Sequence, residues 1–325
     1  MLFESHDGAV TWEQIDKGEG CPGGIKGLMA ARGGELYAIG NCNEYDSFYT
    51  SRNSGRTWVQ TTVLRAFNQQ GESFSPLILM EIDQEDKEII YIRDEQRRIV
   101  FISTDNGDSW SSSSERCDAM ASDPKGGLVA LCDNGLMRTD DAGSTWQVVS
   151  TETYGGNALA LSPHSSQVIY AGMGGFMVST DDGQIWTERS SGLGAVRSEL
   201  ILDTQSDKLY LTDLYELGYR SMDGGNSWEN IYEGGFNLAV GLDGELWRGT
   251  GDTLLKSGDR DDTWSDVDLP QGVDRGLSYR ISASPAVNGL IYLVYDNPGR
   301  IFACSGGGVQ CEEYPRQPWN SGEAL

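Results

Sequence analysis

The stretch STDNGDSW, residues 103–110, decides the fold, because the chain writes it repeatedly. The other copies are SHDGAVTW (5–12), SRNSGRTW (51–58), TDDAGSTW (139–146), STDDGQIW (179–186), SMDGGNSW (221–228) and SGDRDDTW (257–264). Their tryptophans stand 46, 52, 36, 40, 42 and 36 residues apart, and seven of the nine Trp in the chain are used this way. Periods of this size mark an array of small, similar supersecondary units.

Each copy reads as a hairpin corner. The acid at its third position, Asp7, Asp105, Asp141, Asp181, Asp223 or Asp259, with Asn53 in the second copy, accepts backbone N–H groups one to three residues on. The glycine takes a positive φ. The Ser or Thr ends one strand, and the Trp opens the next and carries apolar area between neighbouring units. Between corners lie paired apolar runs, such as GNALALSP with QVIYAGM and RSELILDT with KLYLTDL, bounded by Gly, Pro, Asp and Asn. No stretch has a helical period. Four short strands per 36 to 52 residues is one blade of a propeller.

The octapeptide resembles the Asp box, or bacterial neuraminidase repeat. That resemblance implies an all-β chain, a β-propeller of four-stranded blades in which each box joins the third and fourth strands. It does not imply sialidase activity, since the box is a structural turn. The chain reads as one propeller domain over residues 1–325, with a partial N-terminal hairpin at 1–16 and a C-terminal tail at 315–325. In the last unit Cys304 falls where Ser257 lies in its neighbour, and Cys311 where Trp264 lies, so an eighth corner has lost its Asp. Seven complete four-strand sets favour seven blades, with eight as the alternative.

Composition narrows the partners. Lys plus Arg number 24 and Asp plus Glu 49, a net charge of −25. Such a chain repels phosphate backbones and anionic lipid, so neither nucleic acid nor membrane insertion is expected. No apolar run reaches the roughly 18 residues a spanning helix needs. The opening MLFESHDGAV lacks the basic and apolar regions of a signal peptide.

Six cysteines suggest disulfides. Cys117 and Cys132 are symmetric about DPKGG, Cys21 and Cys42 about ARGGE, and Cys304 and Cys311 flank the degenerate corner. Opposed residues of an antiparallel pair lie about 4.5–5.5 Å apart at Cα, inside the roughly 4.4–6.8 Å range of disulfides. The expected pairs are Cys21–Cys42, Cys117–Cys132 and Cys304–Cys311, which place the protein in the periplasm, at the cell surface or outside the cell. With two histidines and no C-x₂-C pair, no metal is expected, and no cofactor motif occurs. The runs SGDRDD and DQEDKE mimic calcium-loop spacing but lack the terminal Glu of such loops.

In a propeller the boxes and first-hairpin turns lie at one end and the remaining loops at the other, where sites usually form. The loop-end candidates are Tyr45, Arg65, Phe67, Arg97, Tyr154, Arg197, Tyr215 and Arg275, the arginines coming from different units and able to converge on a carboxylate. Sialidases resemble this chain in the box, but their Arg-Ile-Pro motif is absent. Xyloglucan-cleaving glycosidases share the box but use two propellers and two opposed carboxylates; among the 49 acids the sequence singles out no such pair and no catalytic residue. Photosystem II assembly factors are similar in size, box use and compartment, and imply a binding scaffold, although their basic patch is not evident. The expected function is therefore a non-catalytic, extracytoplasmic propeller that recognises a protein or glycan, able to serve as a component of a cell-envelope complex; the alternative is a glycoside hydrolase on the same scaffold.

Overall fold

The computed structural model describes residues 3–4, 13–14, 27–31, 35–41, 46–52, 57–63, 78–94, 97–152, 156–193, 200–203, 206, 208–212, 217–233, 237–242, 244–250, 253–258, 263–267, 279–283, 291–295, 301–305 and 310–313. Among these there is no helix; every regular element is a strand. Five sheets have four antiparallel strands each in chain order. They begin at Gly27–Ala30, Ala158–Ser162, Leu200–Leu202, Asn237–Val240 and Tyr279–Ala283. A sixth sheet has seven strands, from Ile78–Ile82 to Gln147–Ser150, and Phe3–Glu4 pairs with Glu13–Gln14 in a separate hairpin. Neighbouring sheets touch through their first strands in chain order, and Tyr279–Ala283 lies against Gly27–Ala30, so the sheets return on themselves as a propeller. The N-terminal hairpin lies against Ile301–Ser305 of the last sheet.

The seven-stranded sheet departs from the four-strand expectation for a local reason. Ser111–Ser122 is one strand of 12 residues whose first half pairs with Ile99–Ser103 and whose second half pairs with Leu128–Cys132. It leaves one unit as its outermost strand and enters the next as its innermost. Register shifts between Ser112 and Arg116, and again between Cys117 and Ala119, supply the bend. Inner and central strands such as Leu128–Cys132 are buried on both faces, which is why they read as apolar runs rather than alternating ones.

The repeated corners are braced as a set. Ser103 Oγ accepts the Gly107 amide at 2.8 Å and donates to Asp105 Oδ1 at 2.8 Å. Asp105 accepts the Ser109 amide at 2.8 Å and the Ser109 hydroxyl at 2.6 Å. Thr139, Asp141, Gly143 and Thr145 repeat this network, as do Ser221, Asp223, Gly225 and Ser227. In the remaining described corner Ser179, Asp181, Gly183 and the Ile185 amide do the same. The Asp carboxylate takes the amide three residues on, as in Asp108, Gln184 and Asn226, and also the one four residues on, which the sequence reading did not include, while the Ser or Thr hydroxyl closes the inner loop. Two successive residues take positive φ rather than one, for example Asn106 at 58° and Gly107 at 90°. Hydrogen bonds from Thr145, Ile185 and Ser227 hold Asp141, Asp181 and Asp223 below the usual carboxylate range. Asp7, Asn53 and Asp259 lie outside the described residues.

The tryptophans fill the seams between sheets. Trp110 packs on a cluster holding Tyr37, Ile39 and Phe48 of the preceding sheet, its ring edge-on to Phe48 with centroids 5.0 Å apart. Trp146 and Trp186 pack likewise, each on a cluster built from two neighbouring sets of strands. Trp228 stands edge-on to Phe176 at 4.8 Å, and its Nε1 donates to Arg189 O at 3.1 Å. The core is therefore a series of slabs between sheets. The corner glycines share those seams: a Cβ on Gly107 would come closer than 3.0 Å to Phe48, one on Gly143 to Ile102, one on Gly183 to Leu136 and one on Gly225 to Phe176.

Candidate functional site

Turns joining second to third strands lie at the end opposite the corners. The best-described group there sits in the seven-stranded sheet. Strand Ile90–Asp94 ends on Asp94, which is fully buried. Asp94 Oδ1 accepts the Arg97 amide at 3.0 Å, its other oxygen pairs with the Arg97 guanidinium, and its carbonyl accepts the Arg98 amide at 2.7 Å. A carboxylate out of water needs such donors. Arg98 holds φ at 59°, a left-handed conformation uncommon for a long side chain.

Arg98 then reaches the next unit. Its guanidinium contacts Asp118 at 2.5 Å and Asp133 at 2.6 Å, and its carbonyl accepts the Cys117 amide at 2.7 Å. Cys117 is disulfide-bonded to Cys132, its Cα partner in the strand pair. The two Cα atoms are 3.8 Å apart, closer than the range expected from sequence. The Asp133 amide donates to Arg116 O at 2.9 Å, and Asn134 Nδ2 donates to Glu115 Oε2 at 2.9 Å. Disulfide and ion pairs thus bind the same two strands at one spot. The half-exposed pairs add little each; the disulfide adds more. Replacing both Cys117 and Cys132 with Ser is expected to remove about 3 kcal/mol, the chain-entropy value for a loop of this size, read as a lower Tm.

Arg97 is the one nominated ligand residue that the structure describes, and it is tied to Asp94. Tyr45, Arg65, Phe67, Tyr154, Arg197, Tyr215 and Arg275 lie outside the described residues, as do Cys21 and Cys42. Cys304 and Cys311 are Cα partners across their strand pair. The reading of the sequence missed Arg98, Asp118 and Asp133. It also missed a second set of turn acids at the corner end. Asp83 accepts the amides of Glu85 at 2.9 Å, Asp86 at 3.0 Å and, across to the next unit, Gly127 at 2.5 Å. Asp123 accepts Lys125 N at 2.8 Å and pairs with Arg138 at 3.2 Å, and Arg138 also pairs with Asp182 of the next sheet. Asp203 accepts the Ser206 hydroxyl at 2.6 Å. Among the described residues no group of His, Cys, Asp and Glu is arranged to hold a metal ion. The acids of DQEDKE are instead turned to turn amides at Asp83 and Asp86.

No family model matches the chain. It is 28% identical over 234 residues to a xyloglucanase of Hypocrea jecorina (strain QM6a), a match covering 65% of this chain and 27% of that protein. The chain therefore spans about a quarter of the curated relative's length. Among solved structures it is similar to YCF48 from Cyanidioschyzon merolae, with a TM-score of 0.60, 13% identity and coverage of 94% of this chain and 99% of that one. A structure of YCF48 bound to D1 peptide gives a TM-score of 0.56 at 18% identity, covering 94% and 100%. The β-propeller domain of Myceliophteria thermophila Cps50 (Swd1) gives 0.64 at 12% identity, covering 87% and 98%. Likeness at these identities shows architecture, and the architecture is a β-propeller.

Proposed function

We propose that the chain is an extracytoplasmic, non-catalytic propeller that binds a glycan or a protein segment at the loop end of its sheets. The observation that carries this reading is the state of the carboxylates in the described corner of that end. Asp94 is matched to Arg97, and Asp118 and Asp133 to Arg98. Each of these three carboxylates is thus engaged by a guanidinium of this chain. Glycoside cleavage instead needs two carboxyls set opposite each other across the scissile bond. The peptide-bound YCF48 structure, matched over nearly the whole of both chains, supports a peptide ligand; the xyloglucanase similarity supports a glycan. Binding to nucleic acid is disfavoured by the net charge of −25. No helix among the described residues is long and apolar enough to cross a membrane.

The same proposal includes three finer points. The corners are Asp boxes, supported by four braced octapeptides. The ring has seven units, supported by the order in which first strands touch and by the two units fused through Ser111–Ser122. Export is supported by the Cys117–Cys132 disulfide and by the opposed positions of Cys304 and Cys311.

The second reading, a glycoside hydrolase acting on a xyloglucan-like polymer, is favoured by the 28% identity to the xyloglucanase. One experiment separates the two. Purified protein is offered xyloglucan, its oligosaccharides and a displayed peptide library, with binding and reducing-end release both measured. Saturable binding to a glycan or a peptide without release is expected. Enzyme-dependent release, or no binding to any of them, would overturn the proposal.

A further inference from the structure

The dipeptide Asn-Gly occurs at 106–107, 134–135 and 288–289, the last outside the described residues. Asparagine is a chemically labile side chain, and it is most open to attack by its own backbone here, because glycine puts no side chain beside the amide nitrogen that follows. The fold gives the two described copies opposite surroundings.

Asn106 is pinned in its corner. Its amide donates to Glu88 O at 3.0 Å, and its Oδ1 accepts the Tyr37 hydroxyl at 3.4 Å. Gly107 is buried, and its amide, the nitrogen that would have to attack, donates to Ser103 Oγ at 2.8 Å. Asn134 is exposed. With Asp133 it forms the short turn between Leu128–Cys132 and Gly135–Thr139, at the loop end. Strand pairing stops at Cys132 opposite Gly135, so only the last rung has to open for this turn to rearrange. The Asn134 side chain is met on the surface, where its Nδ2 donates to Glu115 Oε2 at 2.9 Å.

We propose that Asn134 is a site of spontaneous deamidation, and that Asn106, in the same dipeptide, is protected by its corner. The Gly135 nitrogen gives its proton to solvent and attacks Asn134 Cγ. The new C–N bond closes a cyclic succinimide, the Cγ–Nδ2 bond breaks, and Nδ2 leaves as ammonia with a proton from solvent. Water then adds to either ring carbonyl and reopens the ring as aspartate or isoaspartate. The sum is a carboxamide plus water giving a carboxylic acid plus ammonia, with no change of oxidation state. The product sets a carboxylate where Glu115 accepted a donor and next to Asp133, so like charges meet at the end of the strand pair that carries the disulfide and the Arg98 bridge. Isoaspartate also lengthens the backbone of the turn. The loop end therefore gains negative charge as the protein ages, whatever it binds.

The test is peptide mapping by mass spectrometry after incubation of the full chain, folded and, as reference, in denaturant. In denaturant Asn106 and Asn134 are expected to convert at similar rates. In the folded chain Asn134 is expected to convert roughly tenfold faster than Asn106, whose attacking amide must first break its bond to Ser103. The acidic form that accumulates on ion exchange is expected to carry aspartate and isoaspartate at 134 and to be lost in Asn134→Gln. Equal rates at the two sites in the folded chain, a faster Asn106, or an intact Asn134 after the denatured chain has converted would overturn the proposal.

Discussion

Gly225→Ala is expected to lower stability by about 3 kcal/mol, a sum of overpacking and backbone strain. Two independent effects meet at this position. Gly225 has φ at 88°, where an L side chain is strained, and it follows Gly224 at 66°. A Cβ there would also come closer than 3.0 Å to Phe176 Cε1. Phe176 is fully buried and pinned edge-on by Trp228, so the ring has nowhere to move. The control is Gly174→Ala: that glycine also has positive φ, at 77°, but a Cβ meets nothing within 4 Å. Gly174→Ala is expected to show the strain alone, about 1 kcal/mol, in urea or thermal melts of both variants. Equal losses would mean that the seam does not feel the added methyl group.

Trp110→Ala is expected to cost about 3 kcal/mol, the low end of the range for deleting a core ring, because Trp110 is half-buried. Its ring fills the slab between Phe48 and Phe101, and its Nε1 donates to Gly107 O at 3.0 Å, so packing and corner are lost together. Trp110→Phe keeps an aromatic edge against Phe48 but drops the Gly107 bond, and is expected to recover more than half of the loss. In a double-mutant cycle Trp110→Ala and Phe48→Ala are expected to be strongly non-additive, because they share one slab. Additive losses would contradict the assignment of Trp110 to the preceding sheet.

The corners were legible in the sequence because their chemistry is rigid. A hydroxyl, a carboxylate, a positive-φ pair and a tryptophan must fall at fixed offsets, and the eye finds fixed offsets. Asp83, Asp123 and Asp203 do related work but were not read, because their turns differ in length: Asp83 N bonds Ile89 O, Asp123 N bonds Gly127 O and Asp203 N bonds Lys208 O. No constant spacing survives that variation. Cys117 and Cys132 were legible from their symmetry about a turn. Arg98 was not, since nothing in RDEQRR says which of its arginines folds left-handed and bridges to the next unit.

The central claim is that each of the four described octapeptides is a corner closed by its own side chains and set in the seam between sheets. Amide hydrogen exchange on the intact chain tests it most directly. The amides of Gly107, Gly143, Gly183 and Gly225, bonded to Ser or Thr hydroxyls at 2.7 to 2.8 Å, are expected to exchange as slowly as those of the adjoining strands. Exchange of these four amides at the rate of open turns, while the strands stay protected, would contradict the account.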